Sequence, residues 1–125
     1  MIDLKSLLQV PCVDAYNGFD ISPDGRKAAF SWNKTGEWEI YEISLIGQHN
    51  ARRVSVGSGG KFCPKYSPDG TRLAYVVDFD GSEKYHLFLH DFISGNNIDL
   101  TPGIQYSLQP NISWSPEGNA IAFLA

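Results

Sequence analysis

The residues of this chain that could carry out chemistry are few and far apart. Ser58 lies in the glycine-rich stretch VGSGGK, between two apolar segments. A hydrolase nucleophile requires G-x-S-x-G at a sharp strand-to-helix turn, and no serine here has glycine two places away on both sides. The stretch also fails as a phosphate-binding loop, because Phe62 stands where a serine or threonine would ligate magnesium. We therefore expect a flexible connection at Ser58 and no catalytic residue in the chain.

Metal ligands are equally sparse. His86 and His90 are four residues apart, which places them on one face of a strand, but Asp91 falls on the opposite face. The segment DFDGSE resembles a calcium loop only in part, since it lacks the remaining ligand positions. Cys12 and Cys63 are too few for a disulfide framework and match no zinc motif, so both are expected to be buried or half-buried thiols. The sequence predicts neither a metal site nor a cofactor.

Composition limits the class of protein. The chain has 125 residues, 42% of them hydrophobic, with a net charge of −4 and a pI near 5.2. These values indicate one globular domain without the basic face of nucleic-acid-binding proteins. No segment reaches the roughly 18 apolar residues of a membrane span, and residues 1–16 lack the apolar core of a signal peptide. We expect a cytoplasmic protein with no nucleic-acid or membrane partner.

One short motif occurs three times. SPDG begins at Ser22 and at Ser67, and SPEG begins at Ser115, so the motif recurs every 45 to 48 residues. Proline presets φ at such a turn, the acidic side chain caps the local backbone, and glycine accepts a positive φ. The motif therefore predicts a tight β-hairpin in each of three repeated units.

A strand is expected on each side of every turn. The runs that follow are RKAAFSW, TRLAYVV and NAIAFLA. In the two complete units, a second hairpin leads into WEIYEISL or YHLFLHDF, and RRVSV or NIDLT closes the unit. Four short strands in a meander, repeated about every 45 residues, are typical of a β-propeller blade.

The second strand of each unit predicts how the blades pack. Alanine recurs as Ala29, Ala74 and Ala122, and the next residue is aromatic each time. Successive side chains of a strand point to opposite faces, so the alanine should let one neighbouring blade approach while the aromatic residue fills space against the other. The residues before the turns, Ile21, Tyr66 and Trp114, are expected in the core.

We therefore predict an all-β fold, a partial β-propeller of about two and a half four-stranded antiparallel blades. Residues 1–16 form an N-terminal lead-in and residues 17–125 the partial propeller. Blade 1 covers about 17–57, blade 2 about 61–103 and half of blade 3 about 109–125. Helical periodicity is confined to DLKSLL, where Asp3 can cap a single turn.

The SPDG turn, the apolar strand after it, the Asp/Gly hairpin and the aromatic-rich third strand together resemble the PD40, or TolB-like, propeller repeat. The segment LLQVPCV, ahead of the first turn, resembles the lead-in to the N-terminal propeller of acylaminoacyl- and dipeptidyl-peptidase-like serine peptidases of the prolyl oligopeptidase family (S9). In that family the propeller precedes an α/β-hydrolase domain and restricts which peptides reach its serine.

This resemblance implies an N-terminal propeller fragment that gates a hydrolase domain and is not catalytic by itself; whether the chain counts as an enzyme stays open. The implied partners are the remaining blades, the α/β-hydrolase domain and the peptide substrate of the parent protein, together with self-association through open blade edges. The alternative is a TolB-like propeller that serves as a scaffold for protein–protein interaction.

Overall fold

The computed structural model describes residues 12–14 and 18–125. All the regular structure in this part of the chain is β-strand, and no helix long and apolar enough to cross a membrane occurs in it. The helical turn expected in DLKSLL lies outside the described residues.

Blade 1 is a four-stranded antiparallel meander in the order β1-β2-β3-β4. Its strands are β1 (Phe19–Ile21), β2 (Lys27–Trp32), β3 (Glu39–Ser44) and β4 (Arg52–Arg53). Val13 of the lead-in forms an isolated bridge with Trp32 at the far end of β2.

Blade 2 repeats this order with β5 (Gly60–Tyr66), β6 (Arg72–Asp78), β7 (His86–Asp91) and β8 (Asn97–Asp99). A third, two-stranded sheet pairs β9 (Ile112–Trp114) with β10 (Ile121–Phe123). Two complete blades and the first hairpin of a third confirm the predicted all-β partial propeller.

Each of the three repeated turns is closed by its own serine. In the second turn, Gly70 N donates to Ser67 O at 2.9 Å, and Ser67 Oγ donates to Asp69 Oδ1 at 2.7 Å. The backbone N–H of Thr71 also donates to Asp69 Oδ1, and these hydrogen bonds lower the pKa of the Asp69 carboxyl to about 2. Gly70 has φ +74°, which confirms the positive φ predicted for the turn glycine.

The alternating faces pack as the repeat predicts. Ala29 of blade 1 lies in one buried cluster with Tyr75 of blade 2, and Ala74 of blade 2 lies in a second cluster against Phe123 of the third sheet. Each alanine thus accommodates the aromatic residue of the next blade. Ile21 was expected in the core, but it is 45% exposed, because no described sheet covers the face of blade 1 on which it lies.

The innermost strand of blade 2 is irregular. The pairing of β5 with β6 shifts by one residue between Phe62 and Lys65, and Cys63 adopts φ +55° there. A β-bulge of this kind bends the strand and redirects the side chains around it. It turns Cys63 into the apolar cluster between blade 2 and the third sheet.

Candidate functional site

The structure keeps the sequence-predicted reactive residues apart. Ser58 is exposed in the connection between blades 1 and 2. The connection makes two close contacts. Gly57 O accepts a hydrogen bond from Lys61 Nζ, and a Cβ on Gly59 would lie 2.5 Å from the carbonyl oxygen of Asp78. Ser58 therefore lies in a connection that contacts blade 2, and the flexibility of this connection stays a prediction.

The two histidines lie on one face of β7, as predicted, but they have different environments. His86 Nδ1 is 3.0 Å from Asp99 Oδ2. His90 is buried against the ring of Phe92, and its Nδ1 has no hydrogen-bond partner in the part of the chain that the structure describes. Burial lowers the pKa of His90. Among the described residues, no group of three His, Cys, Asp or Glu side chains could hold a metal ion.

The DFDGSE segment is a hairpin closed by its first aspartate. Asp78 Oδ1 accepts a hydrogen bond from Gly81 N at 3.0 Å, and Asp78 Oδ2 accepts one from Glu83 N at 3.2 Å. The Asp78 carboxylate thus fixes the loop between β6 and β7. Both oxygens of this carboxylate are engaged by backbone N–H groups of the hairpin.

The cysteines do not share one environment. Cys63 is buried, and burial raises the pKa of its thiol to about 11, so the thiolate nucleophile is suppressed. Cys12 is exposed, contrary to the prediction of a buried or half-buried thiol. It lies in the lead-in, where its backbone oxygen accepts a hydrogen bond from Asn33 N at 3.2 Å, just past the end of β2.

The interface between blades 1 and 2 contains a buried ion pair. Lys61 Nζ lies 2.9 Å from Glu39 Oε1, and both residues are almost completely buried. The hydroxyl of Ser55 donates to Glu39 Oε2, and Gly57 O takes a second hydrogen bond from the ammonium. Lys61 also anchors the blades through its backbone, since Ser31 Oγ donates to Lys61 O at 2.5 Å.

A second buried carboxylate lies in the same interface. Glu42 Oε2 accepts a hydrogen bond from Tyr66 Oη at 2.9 Å, and Glu42 Oε1 forms an ion pair with Arg52 at 2.8 Å. Burial is the main cause that raises the pKa of the Tyr66 phenol, and the adjacent Glu42 charge adds to it. Tyr66 N also donates to Asp20 Oδ2, so this tyrosine joins two strands of blade 1 to blade 2.

The interface between blade 2 and the third sheet is apolar. Its buried residues are Cys63, Ala74, Val76, Leu87, Leu108 and Ile112. Polar contacts lie at its rim. Trp114 Nε1 donates to Lys65 O at 3.0 Å, and the Arg72 guanidinium lies 5.0 Å from the centroid of the Trp114 ring.

At the end of the blades opposite the SPDG turns, a cleft of about 410 Å³ opens between blades 1 and 2. We call it the hairpin cleft. Its side-chain walls are Glu37, Trp38, Phe62, Asp78 and Phe79, and its floor is the glycine connection at 58–60. An aromatic wall with carboxylates beside it suits a cation. The stretches VGSGGK and DFDGSE, which we considered above for other chemistry, both line this cleft. Nothing local indicated that they meet, because the walls come from three separate loops and strands.

The comparisons with known proteins agree with this architecture. No protein-family model matches the chain. The chain is 33% identical over 121 residues to dipeptidyl-peptidase 5 of Porphyromonas gingivalis, and 35% identical over 66 residues to the uncharacterised peptidase YuxL of Bacillus subtilis. These matches cover 86% and 50% of the chain, but only 17% and 10% of the two relatives.

Solved structures show the same fold. TolB from Acinetobacter baumannii superposes with a TM-score of 0.69 at 29% identity, over 86% of this chain and 26% of that one. The chain has a TolB-like β-propeller fold with PD40-type repeats. A putative TolB from Agrobacterium tumefaciens agrees, with a TM-score of 0.64 at 25% identity over 90% of this chain and 45% of that one. This TolB-like propeller is related in sequence to S9 peptidases.

Proposed function

We propose that the chain forms the first blades of the propeller of a serine peptidase of the prolyl oligopeptidase family. In this proposal the blades are not catalytic and restrict the peptides that reach a hydrolase domain outside this chain. The supporting observation is the similarity to dipeptidyl-peptidase 5, which covers 86% of the chain. Among the described residues, His49 Nδ1 contacts the backbone oxygen of Ser44 at 2.8 Å and not its hydroxyl, so this pair does not have the geometry of a nucleophile with its base.

The gating role follows from the geometry of a ring of blades. The strands β1, β5 and β9 are the innermost of their sheets, and in a closed propeller such strands line a central channel. A channel bounded by packed blades admits short, unfolded peptides and excludes folded proteins. Its width depends on how tightly the inter-blade interfaces hold.

The proposal that the parent protein is a serine peptidase is tested by looking for a reactive serine. We expect that the coding sequence continues past Ala125 and carries G-x-S-x-G several blades later. A fluorophosphonate probe should label the protein made from the whole coding sequence and leave the polypeptide 1–125 unlabelled. Stoichiometric labelling of 1–125 would contradict the proposal, and so would a full-length protein without a labelled serine.

The gate is tested separately, on the full-length protein. Leu108→Ala creates a cavity in the apolar interface and should loosen the ring there. We expect the hydrolysis of a 30-residue peptide to increase relative to that of a dipeptide, while the dipeptide rate stays unchanged. An unaltered ratio in a variant that keeps its fold would argue against gating by these blades.

A propeller scaffold for protein–protein interaction is the second candidate. The likeness to the TolB structures favours the scaffold, because this likeness extends over most of the chain. A stop codon only a few blades after Ala125, or a signal peptide ahead of Met1, would favour the scaffold over the peptidase.

Both candidates supply further blades, which would cover surfaces that the described residues leave open. Phe19 is 57% exposed on blade 1, and β10 pairs only with β9 among the described strands. Unpaired strand edges and apolar faces promote association. We expect the polypeptide 1–125 to self-associate at micromolar concentration in sedimentation experiments, and a monodisperse monomer with a sharp melt would contradict that.

A further inference from the structure

The hairpin cleft presents aromatic rings at fixed positions. The rings of Trp38 and Phe62 are tilted, with their centroids 5.8 Å apart. Phe79 lies at the edge of the cleft and is 46% exposed. Its ring makes edge contacts with the rings of His86 and Phe88, with centroid distances of 4.9 Å and 6.0 Å. An exposed aromatic ring that is already held in place loses little conformational freedom on binding a ligand.

The charge in the cleft is negative. Glu37 lies in its wall and forms no ion pair or hydrogen bond with another described residue. Asp78 adds a second carboxylate, although its oxygens already accept the N–H groups of the hairpin. No lysine or arginine is among the described residues that line the cleft, and the nearby Lys61 ammonium is paired with Glu39. Glu37 is therefore the carboxylate available to a ligand.

The floor of the cleft depends on glycine. A Cβ on Gly60 would lie 2.8 Å from the Phe62 ring, and a Cβ on Gly59 would lie 2.9 Å from Phe79 Cα. These glycines let the connection pass close beneath the aromatic residues. Side chains here would displace the rings that form the walls.

The corresponding depression beside the third sheet has the opposite character. The described residues that line it are Lys84, His86, Ile104, Gln105, Tyr106 and Ser107, and none of these carries a carboxylate. A cation is thus expected to distinguish the two depressions, because only the hairpin cleft offers both a carboxylate and clustered aromatic rings.

We propose that the hairpin cleft binds an arginine side chain of a partner polypeptide. A guanidinium stacks on aromatic rings and donates two parallel hydrogen bonds to a carboxylate, which matches Trp38, Phe79 and Glu37. The cleft lies at the end of the blades, where a neighbouring chain can reach it. This inference does not depend on the peptidase proposal.

The test uses the peptide acetyl-Gly-Arg-Gly-amide and its citrulline analogue, which has nearly the same shape without the charge. The indole N–H resonances of Trp32, Trp38 and Trp114 report on three separate surfaces in one NMR spectrum. We expect the arginine peptide to shift Trp38 with millimolar affinity, and the citrulline peptide to bind at least tenfold more weakly, as expected for a cation–π contact combined with an ion pair.

Two variants identify the side chains, and a third is the control. Glu37→Gln removes the free carboxylate, and Phe79→Leu keeps an apolar residue without the aromatic ring; each should weaken binding about threefold to tenfold. Glu117→Gln, in the exposed turn at the other end, should leave it unchanged. Equal affinity for both peptides would overturn the proposal. So would a response at Trp32 in place of Trp38, or full binding by Glu37→Gln with its fold intact.

Discussion

The two inter-blade interfaces use equivalent positions for opposite chemistry. Lys61 N donates to Trp38 O in the first interface, and in the second Leu108 forms a bridge with Tyr85, the residue equivalent to Trp38. Lysine in one interface is thus replaced by leucine in the other, and both are fully buried. Likewise, the strand partner of Ala29 in blade 1 is Glu42, whereas the strand partner of the equivalent Ala74 in blade 2 is Leu89.

The apolar interface therefore serves packing, whereas the ionic interface also determines which blade packs there. The apolar cluster around Leu108 gains from burial without directional requirements. The Glu39–Lys61 pair requires a particular geometry, and a buried ion pair often contributes little net stability compared with apolar residues of similar volume. We infer that the pair specifies which blade packs against blade 1, because a blade without the lysine would leave Glu39 buried and uncompensated.

The largest expected effect comes from placing the same residue at both equivalent positions. Lys61→Met leaves the Glu39 carboxylate buried without its cation, which costs about 3–5 kcal/mol. Leu108→Met nearly conserves volume in an apolar site and should cost less than about 1.5 kcal/mol. Urea unfolding of the two variants measures both values.

A double variant checks the reason for that effect. Replacing Glu39 by Gln in the Lys61→Met background removes the uncompensated charge and should restore part of the lost stability. If the double variant is no more stable than Lys61→Met, loss of packing by the lysine side chain explains the effect, and the ion-pair interpretation is wrong.

The turns at the other end of the interface give the next effect. Gly70 and Gly81 have φ +74° and +78°, but a Cβ on Gly70 would lie 3.5 Å from Pro23 of the neighbouring turn, whereas Gly81 has open space. Gly70→Val places a β-branched residue at positive φ and should cost roughly 1–3 kcal/mol. Gly81→Ala should cost less. Equal shifts in melting temperature would contradict the role of this turn in the interface.

A hydroxyl caps the third strand in both blades. Ser55 Oγ accepts a hydrogen bond from Ile40 N, and Thr101 Oγ1 accepts one from Leu87 N, each at 2.9 Å. Thr101→Val should cost about 1–2 kcal/mol, because it leaves one buried N–H unpaired. Ser55→Ala should cost more, since Ser55 also donates to Glu39. Identical losses would show that this donation adds nothing to the ionic interface.

The smallest effect is a dependence on pH that only the polar interface should show. His90 is buried near Glu42 and Arg52, and burial lowers its pKa below the ordinary value of 6.5. The unfolded chain therefore binds a proton that the folded chain does not, and stability should fall as the pH drops below about 6.5. Unfolding free energies between pH 7.5 and 5.5 should decline less for His90→Gln than for the parent chain. Parallel curves would exclude His90 as the cause.

Much of the fold could be predicted from local sequence. The SPDG turns and the alternation of Ala74 with Tyr75 each depend on a few consecutive residues. The ionic interface could not be predicted in this way, because Glu39 and Lys61 are 22 residues apart and meet only across two blades. The hairpin cleft has the same origin, since loops of two blades and the connection between them form its walls.

The sequence by itself determined which residues share a strand face and where each hairpin turns, because period-two alternation and glycine at positive φ are local properties. The tertiary structure decided which of those faces is buried. Ile21 and Tyr66 hold the same place before an SPDG turn, yet Ile21 is 45% exposed and Tyr66 only 6%. Burial requires a second sheet within van der Waals contact, and for Tyr66 that sheet is blade 1, supplied by residues far away in the chain.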